Sequence, residues 1–191
     1  MKTLVYLKFF SLISSILAGT CIRKYHFWRP FVGEHGPHDY LVGRDLSGKQ
    51  NYVGKMIPAY DTRSWTISTQ IIHDYAEIAF EDKRVRRIDR FLEILSVEPQ
   101  YQEKFFWVFV DSERDLRNLP HRLGSCLVEG GIFKYQDRTI YSYIGSVSIN
   151  GSIHIGPVFV DNWALRSGLH FLNGWETRYR QRAFTVLAQY Y

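Results

Sequence analysis

The sequence predicts an all-β fold in which two pseudo-symmetric antiparallel sheets share one core. Three observations predict it. Short runs of β-branched and aromatic residues alternate with turn residues along most of the chain. An Asn-Gly pair marks a hairpin between Tyr143 and Val160. Similar signals then recur in the same order in two halves of the chain. With 191 residues and 46% hydrophobic content, the chain is long enough for one sizeable domain or two small ones with a common core.

Residues 1–20 have the features of a secretory signal peptide. Lys2 begins a basic segment, the residues from Leu4 to Leu17 are mostly apolar, and small residues follow. The apolar run is short and soon followed by charged residues, which argues against a membrane span, although a retained anchor or a buried strand is the alternative. We therefore predict a secreted protein. The full chain carries a net charge of +5, and removal of Lys2 and Lys8 with the leader lowers it to +3. Nucleic acid is a poor partner for a secreted chain with so modest a net charge.

The two cysteines are Cys21 and Cys126. In an oxidising compartment they either pair in one disulfide, between the mature N-terminus and the second half, or stay as two separate thiols. The sequence leaves both alternatives open. Two cysteines alone do not make a structural zinc site, and no cofactor or metal is predicted.

Residues 25–97 hold the first set of strand signals. Asp45 and Gly48 frame a turn of the Asx type, in which a carboxylate caps its own backbone. Strand-like segments follow up to Leu95. Glu81–Leu95 also has apolar residues at a spacing of three or four, so a helix is the alternative there. We prefer short strands throughout this half.

Residues 105–190 repeat these signals after a polar, proline-containing connector at residues 96–104. Tyr143-Ile144-Gly145 corresponds to Tyr52-Val53-Gly54 of the first half, and Phe184–Leu187 corresponds to Phe91–Leu95. The polar run from Asp111 to Pro120 is predicted to be a turn. The two open sheets are expected to bury their apolar faces against each other.

The Asn150-Gly151 pair predicts a two-residue type I′ turn, because both positions need a positive φ. We expect Ile149, Ile153 and Ile155 to lie on one face of this hairpin, with that face in the core and the other in solvent.

This order of motifs resembles that of a tandem DM9 repeat protein. The shared features are a tryptophan, a Gly-Arg-Asp or Gly-Gly turn, Tyr-Val/Ile-Gly, Gly-x-x-x-x-Gly before a valine, and an aromatic-x-x-Leu terminus. They cover about residues 27–97 and 105–190. The resemblance implies an all-β fold and, by analogy with some members, non-enzymatic binding of mannose-type glycans or microbial surfaces in invertebrate innate immunity. Some members of the family are homodimers.

The resemblance also implies candidate sugar-binding residues. DM9 lectins hold sugar hydroxyls with an aspartate of the glycine-rich turn and a lysine in a Pro-Gly-Lys-Val step. The aspartate is retained as Asp45 in the first copy, and Lys55 keeps the cation of a Tyr-Val-Gly-Arg motif. The second copy has Ser146 in place of Lys55. Pro157 replaces the lysine of the other step, and the first copy offers only Ser68 near that place. A sugar site is therefore expected at Asp45 and Lys55, or it is altered or lost.

Other polar groups are predicted to be solvated. His35, His38 and Asp39 form a turn with no regular metal geometry, and His154 is expected to be exposed on its strand. The acidic run Asp111–Asp115 lacks the glycine of a calcium loop. The basic runs at residues 83–87 and 178–182 are more simply solvated strand faces than sites for sulfated glycans.

Asn150-Gly151-Ser152 matches an N-glycosylation acceptor. No nucleophile, nucleotide-binding or metalloprotease motif occurs. The sequence therefore predicts a secreted, non-enzymatic carbohydrate-recognition protein. The alternatives are a structural or protein-interaction module that has lost sugar binding and, third, a hydrolase with a dispersed site.

Overall fold

The computed structural model describes residues 25–56, 66–79, 85–119, 125–135, 138–160, 167–174, 176–180 and 182–190. Over these ranges the chain is mostly strand and forms two antiparallel sheets, which confirms the all-β prediction. The predicted signal peptide lies outside them. Within the described ranges, no helix is long and apolar enough to cross a membrane.

The first sheet uses residues of the first half of the chain. Its strands pair in the order β1-β7-β3-β4-β5-β6, and β2 adds to β3. The strands are β1 (His26–Phe31), β2 (Leu41–Arg44), β3 (Gln50–Met56), β4 (Ile67–Ile72), β5 (Tyr75–Ala79), β6 (Val85–Ile88) and β7 (Leu92–Val97).

The second sheet follows a 3-10 helix at Pro99–Lys104. Its strands pair in the order β8-β15-β11-β12-β13-β14, while β10 adds to β11 and β9 adds to β15. The strands are β8 (Phe105–Val110), β9 (Ser125–Leu127), β10 (Glu129–Tyr135), β11 (Arg138–Ile149), β12 (Ser152–Phe159), β13 (Gly168–Asn173), β14 (Glu176–Arg180) and β15 (Phe184–Tyr190). A short helix, α1 (Glu113–Asn118), connects β8 to β9.

The two sheets have the same strand order and matching registers. Gly54 of β3 faces Ile94 of β7, and Gly145 of β11 faces Val186 of β15. The register also shifts at the same place in both sheets, between β2 and β3 and between β10 and β11. Residues at matching register positions are called equivalent below. Whether each half is a DM9 repeat stays a prediction.

One apolar cluster, the shared core, takes side chains from both sheets. The two sheets contribute equivalent positions, since Val53 corresponds to Ile144 and Leu95 corresponds to Leu187. These four side chains are fully buried. Burying one such side chain contributes about 1.5–3 kcal/mol. The remaining buried members of the shared core are Val97, Phe105, Val128 and Ile155.

Polar contacts between the two halves also occur at this junction. His26 Nδ1 lies 3.0 Å from Gln189 Oε1, and both residues are buried. Tyr40 of the first half is hydrogen-bonded to Trp107 of the second half, and burial raises the pKa of the Tyr40 hydroxyl to about 12. The junction therefore fixes the relative position of the two sheets with directional contacts as well as apolar ones.

The opposite faces of the central strands are buried too, because alternate residues of a strand point to opposite faces. In β7, Ile94 packs in a cluster of the first sheet that includes Met56 and Ile71. In β15, Val186 packs in a cluster of the second sheet that includes Leu116 of α1. The central strands are thus buried on both faces.

The hairpin of β11 and β12 has the predicted turn, with φ of 50° at Asn150 and 78° at Gly151. The predicted single isoleucine face is wrong. Directly opposed residues of an antiparallel pair share a face, so Ile149 shares its face with Ser152 and not with Ile153. Ile153 and Ile155 point to the shared core, whereas Ile149 packs against the cluster of the second sheet. Both faces are therefore buried.

His154 differs from its prediction for the same reason. It pairs with Val147, whose face belongs to the core of the second sheet. Its ring lies 5.6 Å from that of Phe171, and burial lowers the pKa of the imidazole. The residue is half-buried rather than exposed.

The secondary structure of two segments differs from what the sequence analysis predicted or considered as an alternative. The helix considered for Glu81–Leu95 is wrong, because β6 and part of β7 lie there. The predicted turn after Asp111 contains α1, which begins when Ser112 Oγ accepts a hydrogen bond of 3.1 Å from the Asp115 N–H. This six-residue helix has one buried position, Leu116, which is too few to create a periodic pattern.

The equivalence of the two sheets can be tested at Gly54 and Gly145. A Cβ on Gly54 would lie 2.5 Å from Ile71 Cγ1, and one on Gly145 would lie 2.3 Å from Val158 Cγ2. We expect Gly54→Ala and Gly145→Ala each to lower the free energy of unfolding by about 1–3 kcal/mol in urea denaturation, because of overpacking.

The control is Gly36→Ala, whose Cβ would come no closer than 3.4 Å to Arg29 and should change stability little. Destabilisation by only one of the two strand substitutions would contradict the equivalence.

Candidate functional site

Asp45 begins the turn between β2 and β3, and we call residues 45–49 the Asp45 loop. Its Oδ1 accepts hydrogen bonds from the Ser47 N–H at 2.9 Å, the Ser47 hydroxyl at 2.6 Å and the Lys49 N–H at 2.9 Å. The Asp45 carbonyl accepts from the Gly48 N–H at 2.9 Å. Gly48 has a φ of 80°, which suits glycine. The carboxylate caps its own turn, as the sequence predicts.

The electrostatics of the loop keep Asp45 ionised. The hydrogen bond from the Ser47 hydroxyl lowers the pKa of the carboxyl most. The backbone N–H groups and the charge of Lys49 lower it further. Oδ2, in contrast, has no hydrogen-bond donor among the residues that the structure describes. The loop therefore holds an oriented carboxylate with one oxygen engaged and one oxygen open.

The Asp45 loop contacts the second half of the chain. The Leu46 N–H donates to the Gly151 carbonyl at 3.1 Å. The Leu46 side chain lies over Gly151, so closely that a Cβ on this glycine would be 2.1 Å from Leu46 Cδ1. Leu46 is nonetheless 86% exposed. The loop thus stands at the junction of the two sheets, beside the β11–β12 turn.

Lys55 has structural partners. Its Nζ lies 2.7 Å from Glu93 Oε2 and 4.5 Å from the centre of the Trp28 ring. Only 12% of the Lys55 side chain and 22% of the Glu93 side chain are exposed. The ammonium group is therefore ion-paired and also covers the face of a tryptophan.

The structure does not bring Asp45 and Lys55 together. The Asp45 N–H bonds to the Lys49 carbonyl, and Lys55 lies six residues further along β3. At the usual rise of a strand this separation is about 20 Å, too far for one monosaccharide to contact both. The cations beside Asp45 are Arg44 and Lys49. The candidate residues from the motif comparison did not include them, although both lie within four residues of Asp45 in the sequence.

The second half differs at the equivalent positions, as the motif comparison expects. Ser146 is equivalent to Lys55, and Thr185 Oγ1 donates to the Ser146 carbonyl at 3.2 Å where the first half has an ion pair. By strand register, Pro157 is equivalent to Gln70 rather than Ser68. The Gln70 side-chain carbonyl accepts from the Ile155 N–H at 3.3 Å.

The turn containing His35 and Asp39 is not simply solvated. The Asp39 carboxylate is fully buried and accepts two hydrogen bonds from Arg29, at 2.6 and 2.8 Å, and further ones from the Gly36 N–H and the Ser96 hydroxyl. Burial raises the pKa of this carboxyl, but the hydrogen bonds and the Arg29 charge outweigh burial and lower it. The prediction of solvation is wrong for Asp39.

His35 stacks on Tyr52, with the ring centres 4.0 Å apart, and its Nε2 lies 2.7 Å from the His73 carbonyl. His38 is exposed, as predicted. Over the described part of the chain, no three His, Cys, Asp or Glu side chains form a group that could hold a metal ion.

Three further predicted sites are only partly described. Cys126 is buried and disulfide-bonded, but Cys21 lies outside the described residues, so their pairing stays a prediction. Asn150 is exposed at the hairpin tip, and its glycosylation stays a prediction. In the first basic run, Arg87 is exposed. Its Cζ lies 3.5 Å from the centre of the Tyr75 ring, and its guanidinium pairs with Asp74.

Comparisons with known proteins find a similar structure but no similar family or curated sequence. No family model and no curated protein sequence matches the chain. The chain is similar to the crystal structure of the nematode sperm cell motility protein MFP2B, with a TM-score of 0.54 and 14% sequence identity. The match covers 90% of this chain and 49% of that one, so the chain spans about half the length of its structural neighbour. At this identity the likeness shows the fold alone.

The role of Lys55 can be tested by stability. We expect Lys55→Ala to lower the free energy of unfolding by about 2 kcal/mol, because it leaves the partly buried Glu93 carboxylate without its cation. Adding Glu93→Gln should restore part of this loss. Urea denaturation measures both effects.

Lys104→Ala is the control, since Lys104 makes a longer contact of 5.7 Å to a tyrosine ring. A Lys55→Ala protein as stable as the unchanged chain would show that the ion pair has no structural role.

Proposed function

We propose that the protein is a secreted, non-enzymatic recognition protein that binds carbohydrate at the Asp45 loop. The observation that supports this proposal most is the carboxylate of Asp45, which is oriented by three donors on Oδ1 while Oδ2 has none among the described residues. An ionised carboxylate accepts strong hydrogen bonds from the hydroxyls of a neutral sugar. The resemblance to DM9 repeats points to the same residue and supplies the ligand class, mannose-type glycans of microbial surfaces.

The geometry of the loop modifies the site expected from the sequence. Lys55 is about 20 Å away along β3 and is engaged by Glu93, so we leave it out of the proposed site. Arg44 and Lys49 flank the carboxylate instead. The Arg44 guanidinium donates to the Gly48 carbonyl at 3.2 Å, which orders the loop. The proposed site is thus the Asp45 loop, which contains Asp45 and Lys49, together with Arg44 at the end of β2.

A structural or protein-interaction module is the second candidate function. Its support is that Lys55, one of the two residues expected to bind sugar, is occupied by intramolecular contacts. The structural neighbour, which shares only the fold, is a sperm cell motility protein. Under this proposal the Asp45 loop serves only to hold the junction with the β11–β12 turn.

The substitution Asp45→Asn tests the first proposal. Asparagine keeps an oxygen that accepts the three hydrogen bonds of the turn, but it replaces the open, charged oxygen by an NH₂ donor. We expect binding to yeast mannan, measured by biolayer interferometry, to weaken by about 10- to 100-fold, as for loss of a hydrogen bond to a charged group.

Asp89→Asn is the matched control, because its carboxylate is 75% exposed on the turn between β6 and β7. Equal weakening in both variants would mean that binding is nonspecific. A folded protein that does not bind mannan or any sugar on a glycan array would favour the second candidate.

A further inference from the structure

The β11–β12 turn presents an acceptor for N-linked glycosylation. Asn150-Gly151-Ser152 is the one Asn-x-Ser/Thr sequence in the chain. Asn150 and Ser152 are both exposed. The side-chain amide of Asn150 makes no hydrogen bond within the described residues. Asn150 has a φ of 50° and is the first residue of the two-residue type I′ turn at the tip of the hairpin. The folded structure therefore has room for a glycan at this position.

This acceptor lies beside the proposed sugar site. Gly151 accepts the Leu46 N–H at 3.1 Å, and Asn150 and Asp45 are the chain neighbours of this bonded pair. Their Cα atoms are therefore at most about 12 Å apart, given standard backbone dimensions. The exposed Leu46 side chain lies against Gly151, the chain neighbour of Asn150. An apolar sugar face would have a surface to pack on there.

We propose that Asn150 carries an N-linked glycan whose sugars cover the Asp45 loop and compete with external glycans for it. The acceptor assignment stands on the sequence and on the exposed turn, whereas the competition rests on the proposed function. A covalently attached sugar acts as an intramolecular ligand with a high effective concentration. The glycan would thus hold the recognition site in a weakened state until it is trimmed or removed.

The attachment is the usual transfer from a lipid-pyrophosphate-linked oligosaccharide. The Asn150 side-chain nitrogen bonds to the anomeric carbon, the bond from that carbon to the pyrophosphate oxygen breaks, and the nitrogen loses one proton. The lipid pyrophosphate is the leaving group. The reaction needs no oxidant or reductant, and the secretory pathway supplies the donor when the leader directs the chain there.

The test uses the full chain, with its own N-terminus, secreted from insect cells. Intact-mass spectrometry should show a glycan on the unchanged protein that peptide-N-glycosidase F removes. Asn150→Gln and Ser152→Ala should both lack it. Ser152→Thr is the matched control, because threonine keeps the acceptor sequence, and it should be glycosylated.

Mannan binding then tests the competition. We expect enzymatic deglycosylation to tighten binding about tenfold, as expected when an intramolecular competitor is removed. Hydrogen exchange in the Asp45 loop should be slower in the glycosylated form.

A protein without glycan mass would overturn the acceptor assignment, whatever its binding. A glycosylated protein whose binding and loop exchange do not change on deglycosylation would overturn the competition. A glycan with no mannan binding in either form would overturn the proposed function and the competition, while it supports the acceptor assignment.

Discussion

The shared core is the constraint on which the rest of the structure depends. Each sheet has one face that carries large apolar side chains. These include Val53 and Leu95 in the first sheet and Ile144 and Leu187 in the second. Neither face can be left in water without losing about 1.5–3 kcal/mol for each such side chain. The two sheets therefore stabilise each other. Because this junction also sets the Asp45 loop against the β11–β12 turn, it determines the geometry of the proposed site.

The two sheets use different chemistry at equivalent positions. In the first sheet, a partly buried ion pair and a serine hydroxyl contact each other, whereas apolar side chains occupy the equivalent positions of the second sheet. Such an exchange is often neutral for stability, provided that every buried charge is paired. The three positions are Arg29, Asp39 and Ser96 in the first sheet and Val108, Leu127 and Ala188 in the second. Equivalent backbone positions thus accommodate a polar cluster in the first sheet and apolar side chains in the second.

The sequence predicted those features that depend on local patterns. The Asn150-Gly151 turn and the self-capped Asp45 turn follow from residues a few positions apart, and both are present. Which hairpin residues point to which core could not be predicted from the sequence. The reason is that β11 is buried on both sides, and Ile149 and Ile153 pack in different cores. The helix after Asp111 has too few buried residues to give a periodic signal.

The candidate site was predicted in part. Asp45 is in the oriented state that the turn chemistry requires, but its separation from Lys55 depends on the register of β2 and β3, which the motifs do not contain. The pairing of Lys55 with Glu93 joins residues on β3 and β7, and no local pattern indicates that neighbour.

Native-state hydrogen exchange on Ile144→Val tests most directly whether the shared core joins the two sheets into one cooperative unit. This substitution removes one methylene from the shared core and should lower stability by about 1 kcal/mol. If the sheets are one unit, the slowest amides of β3 and β7 in the first sheet should lose as much protection as those of β11 and β15. A loss confined to residues 105–190 would contradict this account.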